Sequence, residues 1–408
     1  MNRGFYTILA AQFFSSLGDN ALLFAAIALL KSIAAPPWQT PVLQQFFVFA
    51  FIPLAPFVGP FSDALPKGRV MLISNSVKMV GCVAMLLGTH PLLAYGLVGV
   101  GAAMYSPAKY GILTEYLPAC KLVWANGWME GLTVAAVILG AIFGGLLAGQ
   151  RIEDQVESQF GGFEFNGGID TAPEFAILVI FGIYLVALAF NLYIPKLPIE
   201  HELPKRTLSF LIADFWRCFI VLWKDPLGQV SLAVTSLFWG AGTTLRFIIL
   251  AWAAASLKLD LEQATQLTAV VAVGLAIGSV AAAKAVPLDH AVKVLPLGIA
   301  MGLVVLLMVF VSDWRLAWPM LVLIGALAGS FLIPMNALLQ YRGHQLMGSG
   351  HSIALQNFNE NISILLMLGA YAMMVRAGFS VNFIVVAFGL FLSAVMGLIT
   401  LKHRHDQD

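Results

Sequence analysis

Charge is what this sequence has least of. Asp, Glu, Lys and Arg together make up 11% of its 408 residues, where a soluble globular domain carries about a quarter. The formal balance is +1 and no basic run occurs, so a nucleic-acid partner is not expected. Cysteine is scarce too. Cys82, Cys120 and Cys218 are odd in number and lack CxxC spacing, which argues against both a disulfide framework and a zinc site. Walker A, HExxH and GxSxG signatures are missing, and the seven His are scattered, mostly at the ends of apolar segments. The nearest approach to an acyltransferase pair, His201-Glu202, lies in a charged connector and reads as solvated surface. Neither an enzyme nor a cofactor or metal site is expected.

What is present is hydrophobic length. The chain is 60% hydrophobic with a mean hydropathy of +0.88, which makes it an all-α polytopic membrane protein. A spanning helix needs about 20 mostly apolar residues. Twelve stretches qualify, near 5–31, 42–64, 70–90, 92–114, 126–149, 174–195, 227–256, 262–285, 294–312, 316–340, 351–376 and 381–401. Arg3 precedes the first run as in a signal peptide, but no small-residue cleavage site follows, so the first span is expected to stay uncleaved. Two connectors are long. Residues 150–173 are polar and acidic, with Glu153, Asp154, Glu157, Glu164 and Asp170. Residues 196–225 carry Lys196, Lys205, Arg206, Arg217 and Lys224, and they include an amphipathic pattern over Leu208–Trp223 suited to a surface helix.

Cytoplasmic loops carry the excess of Lys and Arg. With the N-terminus inside, fifteen of the 22 fall on the cytoplasmic side and five outside, leaving Lys78 and Arg246 within the membrane. Both termini are therefore expected in the cytoplasm. An even number of spans with a basic connector after the sixth suggests two six-helix halves, 1–195 and 226–408, joined by a linker at 196–225. Internal similarity supports this. Gly101…Pro107…Lys109 in span four is matched by Gly329…Pro334…Asn336 in span ten. Asn126…Glu130 in span five is matched by Gln356…Glu360 in span eleven, both pairs offset by about 230 residues.

A charge at bilayer depth costs roughly 2.5 kcal/mol or more, so it faces protein, partner or water. Asp19, in Ser15-Ser16-Leu17-Gly18-Asp19-Asn20, stands in the middle of span one. Arg246 stands at the equivalent level of span seven, about one helical turn away when the two are superposed. These two could form a resting salt bridge, a purely structural lock, or the two ends of a zwitterion site, with Asp19 for an ammonium and Arg246 for a phosphate. Lys109 could hold a phosphate or snorkel to the interface. Asn20, Asn357 and Glu360 complete the candidate substrate contacts, with Glu130 and Glu360 as alternative partners for the buried cations or as gating groups. Glycine pairs 140/144, 274/278 and 325/329 have the spacing of close helix packing.

Between spans two and three, Gly59-Pro-Phe-Ser-Asp63-Ala-Leu-Pro-Lys67-Gly68-Arg69 resembles the major facilitator superfamily signature. The resemblance makes Asp63, Lys67 and Arg69, with Glu130, a cytoplasmic helix latch, although Asp63 and Gly68 are spaced more widely than usual. Four longer stretches are similar to the bacterial lysophospholipid transporter family, LplT. They are Gly18-Asp-Asn-Ala-Leu-Leu-Phe24, Tyr105-Ser-Pro-Ala-Lys-Tyr-Gly-Ile-Leu113, Ser236-Leu-Phe-Trp-Gly-Ala-Gly-Thr-Thr-Leu-Arg-Phe247 and Gln356-Asn-Phe-Asn-Glu-Asn361. This likeness implies an inner-membrane flippase, monomeric by default for the fold. Its cargo would be lysophosphatidylethanolamine, with lysophosphatidylglycerol as a second, moved from the outer to the inner leaflet. A cytoplasmic acyltransferase/acyl-carrier-protein synthetase would re-acylate the product, and neither ATP nor a proton gradient would be needed. The alternative is a proton-coupled drug or small-solute transporter of the same fold, with Asp19 or Glu360 as the protonation site.

Overall fold

The computed structural model of the chain describes residues 3–35, 39–147, 171–195, 197, 207–259 and 261–405. Glu153, Asp154, Glu157, Glu164 and Asp170 of the acidic connector lie outside these residues. So do His201, Glu202, Lys196, Lys205 and Arg206 of the basic one.

In a medium without water a backbone must satisfy its own N–H and C=O groups, and long apolar runs do so as helices. The first half of the chain folds into α1 (Arg3–Ser32), α2 (Gln39–Phe49), α3 (Phe51–Asp63), α4 (Lys67–Leu86), α5 (Pro91–Tyr116), α6 (Leu122–Leu147) and α7 (Ala172–Leu192). Helix α8 (Leu208–Lys224) follows, and then α9 (Pro226–Ser256), α10 (Leu261–Ala285), α11 (Leu295–Leu306), α12 (Trp314–Met347), α13 (Ser349–Arg376) and α14 (Val381–His405). Every expected span has its helix. The second, expected over 42–64, is covered by α2 and α3, which join through Ala50 at helical φ −58°, ψ −30°; Pro53 there has no N–H to return to the Phe49 carbonyl. The ninth tightens into a 3-10 turn, Leu307–Phe310. Among the described residues, eleven helical stretches are long and apolar enough to cross a membrane. The remaining expected span coincides with α5, whose 26 residues run roughly 39 Å but are diluted by Tyr, Pro107 and Lys109.

The helices form two compact units. Unit 1 comprises Met1–Tyr116, Leu132–Phe215 and Gly348–Ala354; unit 2 comprises Leu117–Gly131, Trp216–Met347 and Leu355–Asp408. In unit 1, α1 packs on α7 and α4 on α5, around a core that includes Leu22, Leu30, Tyr95, Ile177 and Tyr184. In unit 2, the core gathers Phe238, Trp252, Met301, Phe331 and Leu392 from α9, α11, α12 and α14. The buried Trp252 indole is satisfied by donating to the Met308 carbonyl at 2.9 Å.

Helix α8 begins at its expected start, ends one residue later than expected, and presents Leu208, Ile212, Trp216 and Ile220 at four-residue spacing, all exposed. Asp214, Phe215, Cys218 and Leu222 are its buried positions. An exposed apolar stripe on a helix between spans fits the expected surface helix.

The tightest seam lies in unit 2, where α10 and α12 cross on four glycines. A Cβ on Gly274 or Gly278 would collide with the Val322 or Ala326 carbonyl, and one on Gly325 or Gly329 with the Val271 or Leu275 carbonyl. Two of the three expected glycine pairs, 274/278 and 325/329, thus meet each other. Gly278→Val should destabilise the protein by about 1–3 kcal/mol or more, the cost of overpacking a closed interface. Gly242→Ala, which meets nothing within 4 Å, should be silent. Thermal unfolding in detergent, followed by thiol-reactive dye reaching the buried Cys82 and Cys218, separates the two; equal melting temperatures would contradict the seam.

Candidate functional site

Along one face of α1, Gln12, Ser15, Ser16 and Asp19 recur at three- and four-residue spacing and form a polar stripe in an otherwise apolar helix. Lys78 on α4 answers it. Its ammonium lies 2.7 Å from Asp19 Oδ2 and donates to Ser15 Oγ at 3.0 Å. It also sits 4.8 Å over the Tyr105 ring and 5.7 Å over that of Tyr184. Ser15 passes the polarity on by donating to Asn75 Oδ1 at 2.7 Å. The Tyr184 hydroxyl donates to Asp19 Oδ1 at 2.7 Å. Gly18 makes room for that ring, since a Cβ there would lie 2.8 Å from it.

The pair is lopsided. The Lys78 side chain is 1% exposed and that of Asp19 is 20% exposed. A carboxylate has about four lone-pair sites, of which Lys78 and Tyr184 occupy two. The open edge of Asp19 can therefore accept a further donor while its own partners stay in place. The resting partner of Asp19 is Lys78, where the sequence suggested Arg246; Arg246 lies exposed on α9 in unit 2.

A second polar station sits further up the stripe. Gln12 Nε2 donates to Thr133 Oγ1 at 2.7 Å and to Ser16 Oγ at 3.1 Å, and the Lys109 ammonium donates to Thr133 Oγ1 at 3.2 Å. Lys109 is buried, 4.6 Å over the Tyr110 ring, so it does not snorkel to an open surface. Asn20 donates to the Ser16 carbonyl of its own helix at 2.8 Å and stands outside the Asp19 network. In unit 2, Glu360 is buried and accepts from Gln356 Nε2 at 2.7 Å, which also donates to Asn336 Oδ1 at 2.9 Å. Asn357 accepts from Asn361 through its backbone carbonyl. Glu130 is buried on α6 within the same unit. One turn before it, Asn126 exchanges two 2.9 Å amide hydrogen bonds with Gln340.

Of the four residues expected to form a latch, Asp63 and Lys67 are brought together, in a cluster larger than their motif. Asp63 ends α3 and Lys67 opens α4, 2.7 Å apart. Asp63 also caps α13: it accepts from the backbone N–H of Gly350 at 2.7 Å and of His351 at 3.1 Å, and its Oδ2 lies 2.6 Å from His351 Nδ1. A carboxylate on the first turn of a helix is favoured by the free N–H groups and the dipole there. Gly350 is required by the closeness of this approach, because a Cβ would press on Asp63 and on the Gly59 carbonyl. His351 Nε2 reaches Asp214 Oδ2 at 3.3 Å. Lys67 reaches Glu115 Oε1 at 3.2 Å, and Ser349 Oγ donates to the same oxygen at 2.6 Å. Arg69 is exposed and Glu130 belongs to unit 2, so neither is in this cluster. Reasoning from sequence missed His351 and Asp214. His351 stands at the start of an apolar helix and Asp214 on the amphipathic α8, and His351's partner Asp63 is 288 positions away.

Two outcomes follow. Asp19→Ala leaves the sealed Lys78 ammonium uncompensated and should cost about 3–5 kcal/mol, more than Lys78→Ala, which leaves a carboxylate that water can reach; Asp19→Ala with Lys78→Met should recover most of the loss. Additive costs in that cycle of melting curves would refute the pairing. Asp63→Asn removes charge-assisted bonds each contributing about 1.5–3 kcal/mol. It should speed hydrogen exchange at Gly350 and His351 by tenfold or more while leaving the middle of α9 protected.

Comparison with known proteins agrees with this architecture. The profile of the Major Facilitator Superfamily matches residues 8–361. Among solved structures, the outward-facing FucP transporter superposes with a TM-score of 0.75 at 13% identity over 98% of both chains. A bacterial homologue of the iron transporter ferroportin, also outward-facing, gives 0.73 at 14% identity over 99% of this chain and 100% of its own. These likenesses establish the fold: twelve transmembrane helices in two pseudo-symmetric halves of six. Curated relatives are much nearer in sequence. "Lysophospholipid transporter LplT" of Enterobacter sp. (strain 638) is 43% identical over 99% of this chain and 97% of its own. Its namesake from Escherichia coli O1:K1 / APEC is 42% identical over the same shares, and that of Yersinia enterocolitica is 42% identical over 93% and 89%. By the profile match and this near-full-length similarity, the chain belongs to the lysophospholipid transporter LplT family of the major facilitator superfamily.

Proposed function

We propose that this protein moves lysophosphatidylethanolamine, and lysophosphatidylglycerol as a second cargo, from the outer to the inner leaflet of the bacterial inner membrane. Both termini face the cytoplasm, and no ATP is used. The product passes to a cytoplasmic acyltransferase/acyl-carrier-protein synthetase for re-acylation, and the protein works as a monomer. The observation behind this reading is the common name of relatives matching 99% of the chain at 42–43% identity. That name favours a lysophospholipid cargo over a drug or small aqueous solute.

The geometry of unit 1 suits such a cargo. The head group's ammonium binds at the open edge of Asp19. Its phosphate is received at Lys109, with Gln12 and Ser16 beside it. Seven residues of helix separate Gln12 from Asp19, roughly 10 Å of axial rise, so the two stations mark successive positions along a track rather than one rigid pocket. The acyl chain needs no polar partner and lies against exposed apolar side chains of the same unit such as Leu87 and Leu93. In this scheme the cluster of Asp63, Lys67, Glu115, Asp214 and His351 sets when α13 can move. Asn20, Arg246, Asn357, Glu360, Arg69 and Glu130 remain candidates to be tested one at a time.

Inward movement of labelled lysophosphatidylethanolamine in spheroplasts lacking their own flippase, with and without a protonophore, tests the reading. Uptake should require the protein and survive the protonophore. Asp19→Ala should lower it by at least tenfold per molecule of folded protein in the membrane. Uptake that collapses with the gradient would recast Asp19 as a proton carrier, and normal uptake by Asp19→Ala would remove it from the substrate path.

A further inference from the structure

Unit 2 contains a cavity of about 790 Å³ that the transport track in unit 1 does not use. It lies where helices end: the start of α9, the 3-10 segment Leu288–Val294, the end of α12 and the end of α14. Its volume is within the range of small-molecule sites, about 300–1,000 Å³. One part of the wall is apolar, with Leu227, Leu288, Leu295 and Leu338. The other part bears Lys293 and Arg342, with Tyr341, Thr400 and the buried His403. Asp289 is the one carboxylate among these lining residues.

The two cations differ in what they have left to offer. Lys293 is exposed and forms no ion pair with any described residue. Arg342 forms a forked ion pair with Asp225, donating from Nε at 3.1 Å and from Nη2, and it spends Nη1 on Gln345 at 3.3 Å. A guanidinium has five N–H donors, so Arg342 is held in a fixed orientation with donors to spare. A phosphate bridging a fixed guanidinium and a mobile ammonium, beside a leucine wall, is how an anionic amphiphile would be seated. The position at helix ends places the site at head-group depth.

We propose that this cavity binds an anionic glycerophospholipid of the bilayer, with its phosphodiester between Lys293 and Arg342 and the first carbons of its acyl chains along the leucine wall. The site is separate from the transported lysolipid's track, so it stands or falls independently of the transport assignment. Its occupant would tie the ends of α9, α12 and α14 to one another. A soluble phosphate ester shares the head-group chemistry but has nothing to lay against the apolar wall.

Cys120 lies in the cavity lining and is exposed, whereas Cys82 and Cys218 are buried, which provides a native reporter. The purified full-length protein in detergent would be alkylated with a maleimide at Cys120 in the presence of dioctanoyl phosphatidylglycerol, dioctanoyl phosphatidylcholine or glycerol 1-phosphate, with Cys120→Ser as the background. Phosphatidylglycerol should slow alkylation at least fivefold, with the other two having little effect. Lys293→Glu should abolish the protection at an unchanged melting temperature. Equal protection by glycerol 1-phosphate would assign the site to a soluble phosphate ester and overturn the lipid. Equal protection by phosphatidylcholine, no protection by any ligand, or protection that survives Lys293→Glu would overturn the anion site.

Discussion

An ammonium sealed inside a helical bundle has to be answered by a fixed counter-charge, and unit 1 is arranged around that demand. Lys78 has no route to water. Isolated in a medium of low dielectric constant its charge would cost several kcal/mol, so every donor it has must be used. The carboxylate of α1, the Ser15 hydroxyl and the faces of two tyrosines use them. Those partners come from α1, α5 and α7, so satisfying one ion fixes the mutual positions of four helices. The constraint explains why a chain poor in charge keeps a lysine and an aspartate at bilayer depth. It also explains why Gly18 and Tyr184 must be where they are.

The latch follows the same logic at the end of the helices, with the charges placed against local preference. Asp63 ends α3, where the helix dipole is already negative, and Lys67 begins α4, where it is positive. Taken alone, that arrangement disfavours both helix ends. It becomes favourable once α13 lays its free N–H groups on Asp63, and Glu115 and Asp63 flank Lys67. Withdrawing the first turn of α13 would return two helix ends to an unfavourable state together, which is what the proposed gating role of this cluster would use.

What could be read beforehand was whatever depends on composition and period. Twelve spans, the surface helix and the packing role of Gly274, Gly278, Gly325 and Gly329 are consequences of apolar length and small-residue spacing, and each was legible. Partners were not. Asp19 and Lys78 are 59 positions apart, and nothing local distinguishes Lys78 from Arg246 as the cation that answers Asp19. The Asp63–Lys67 pair was readable because it lies within one short loop. His351 looked like one scattered histidine among seven, since its roles are set by Asp63 and Asp214 on other elements. Symmetry between halves pointed to Arg246, which lies exposed on α9, whereas the cation that meets Asp19 is on α4.

The same ion pair limits how cargo can be told apart on the proposed track. Two unit charges 4 Å apart interact by about 4 kcal/mol at an effective dielectric constant of 20. An ammonium at the open edge of Asp19 gains a share of that, and a phosphate there loses it. Lys109 draws in any phosphate, whatever the head group attached to it. An ethanolamine head therefore has an attractive station at each end of the stripe. A glycerol head has one, and can offer Asp19 only the neutral hydrogen bonds of its hydroxyls, each contributing about 1 kcal/mol. On that proposal, selectivity would reside in passage past Asp19 rather than in capture at Lys109. With Lys78 and Tyr184 holding Asp19 in place, the proposed station would offer its open edge without first breaking either contact.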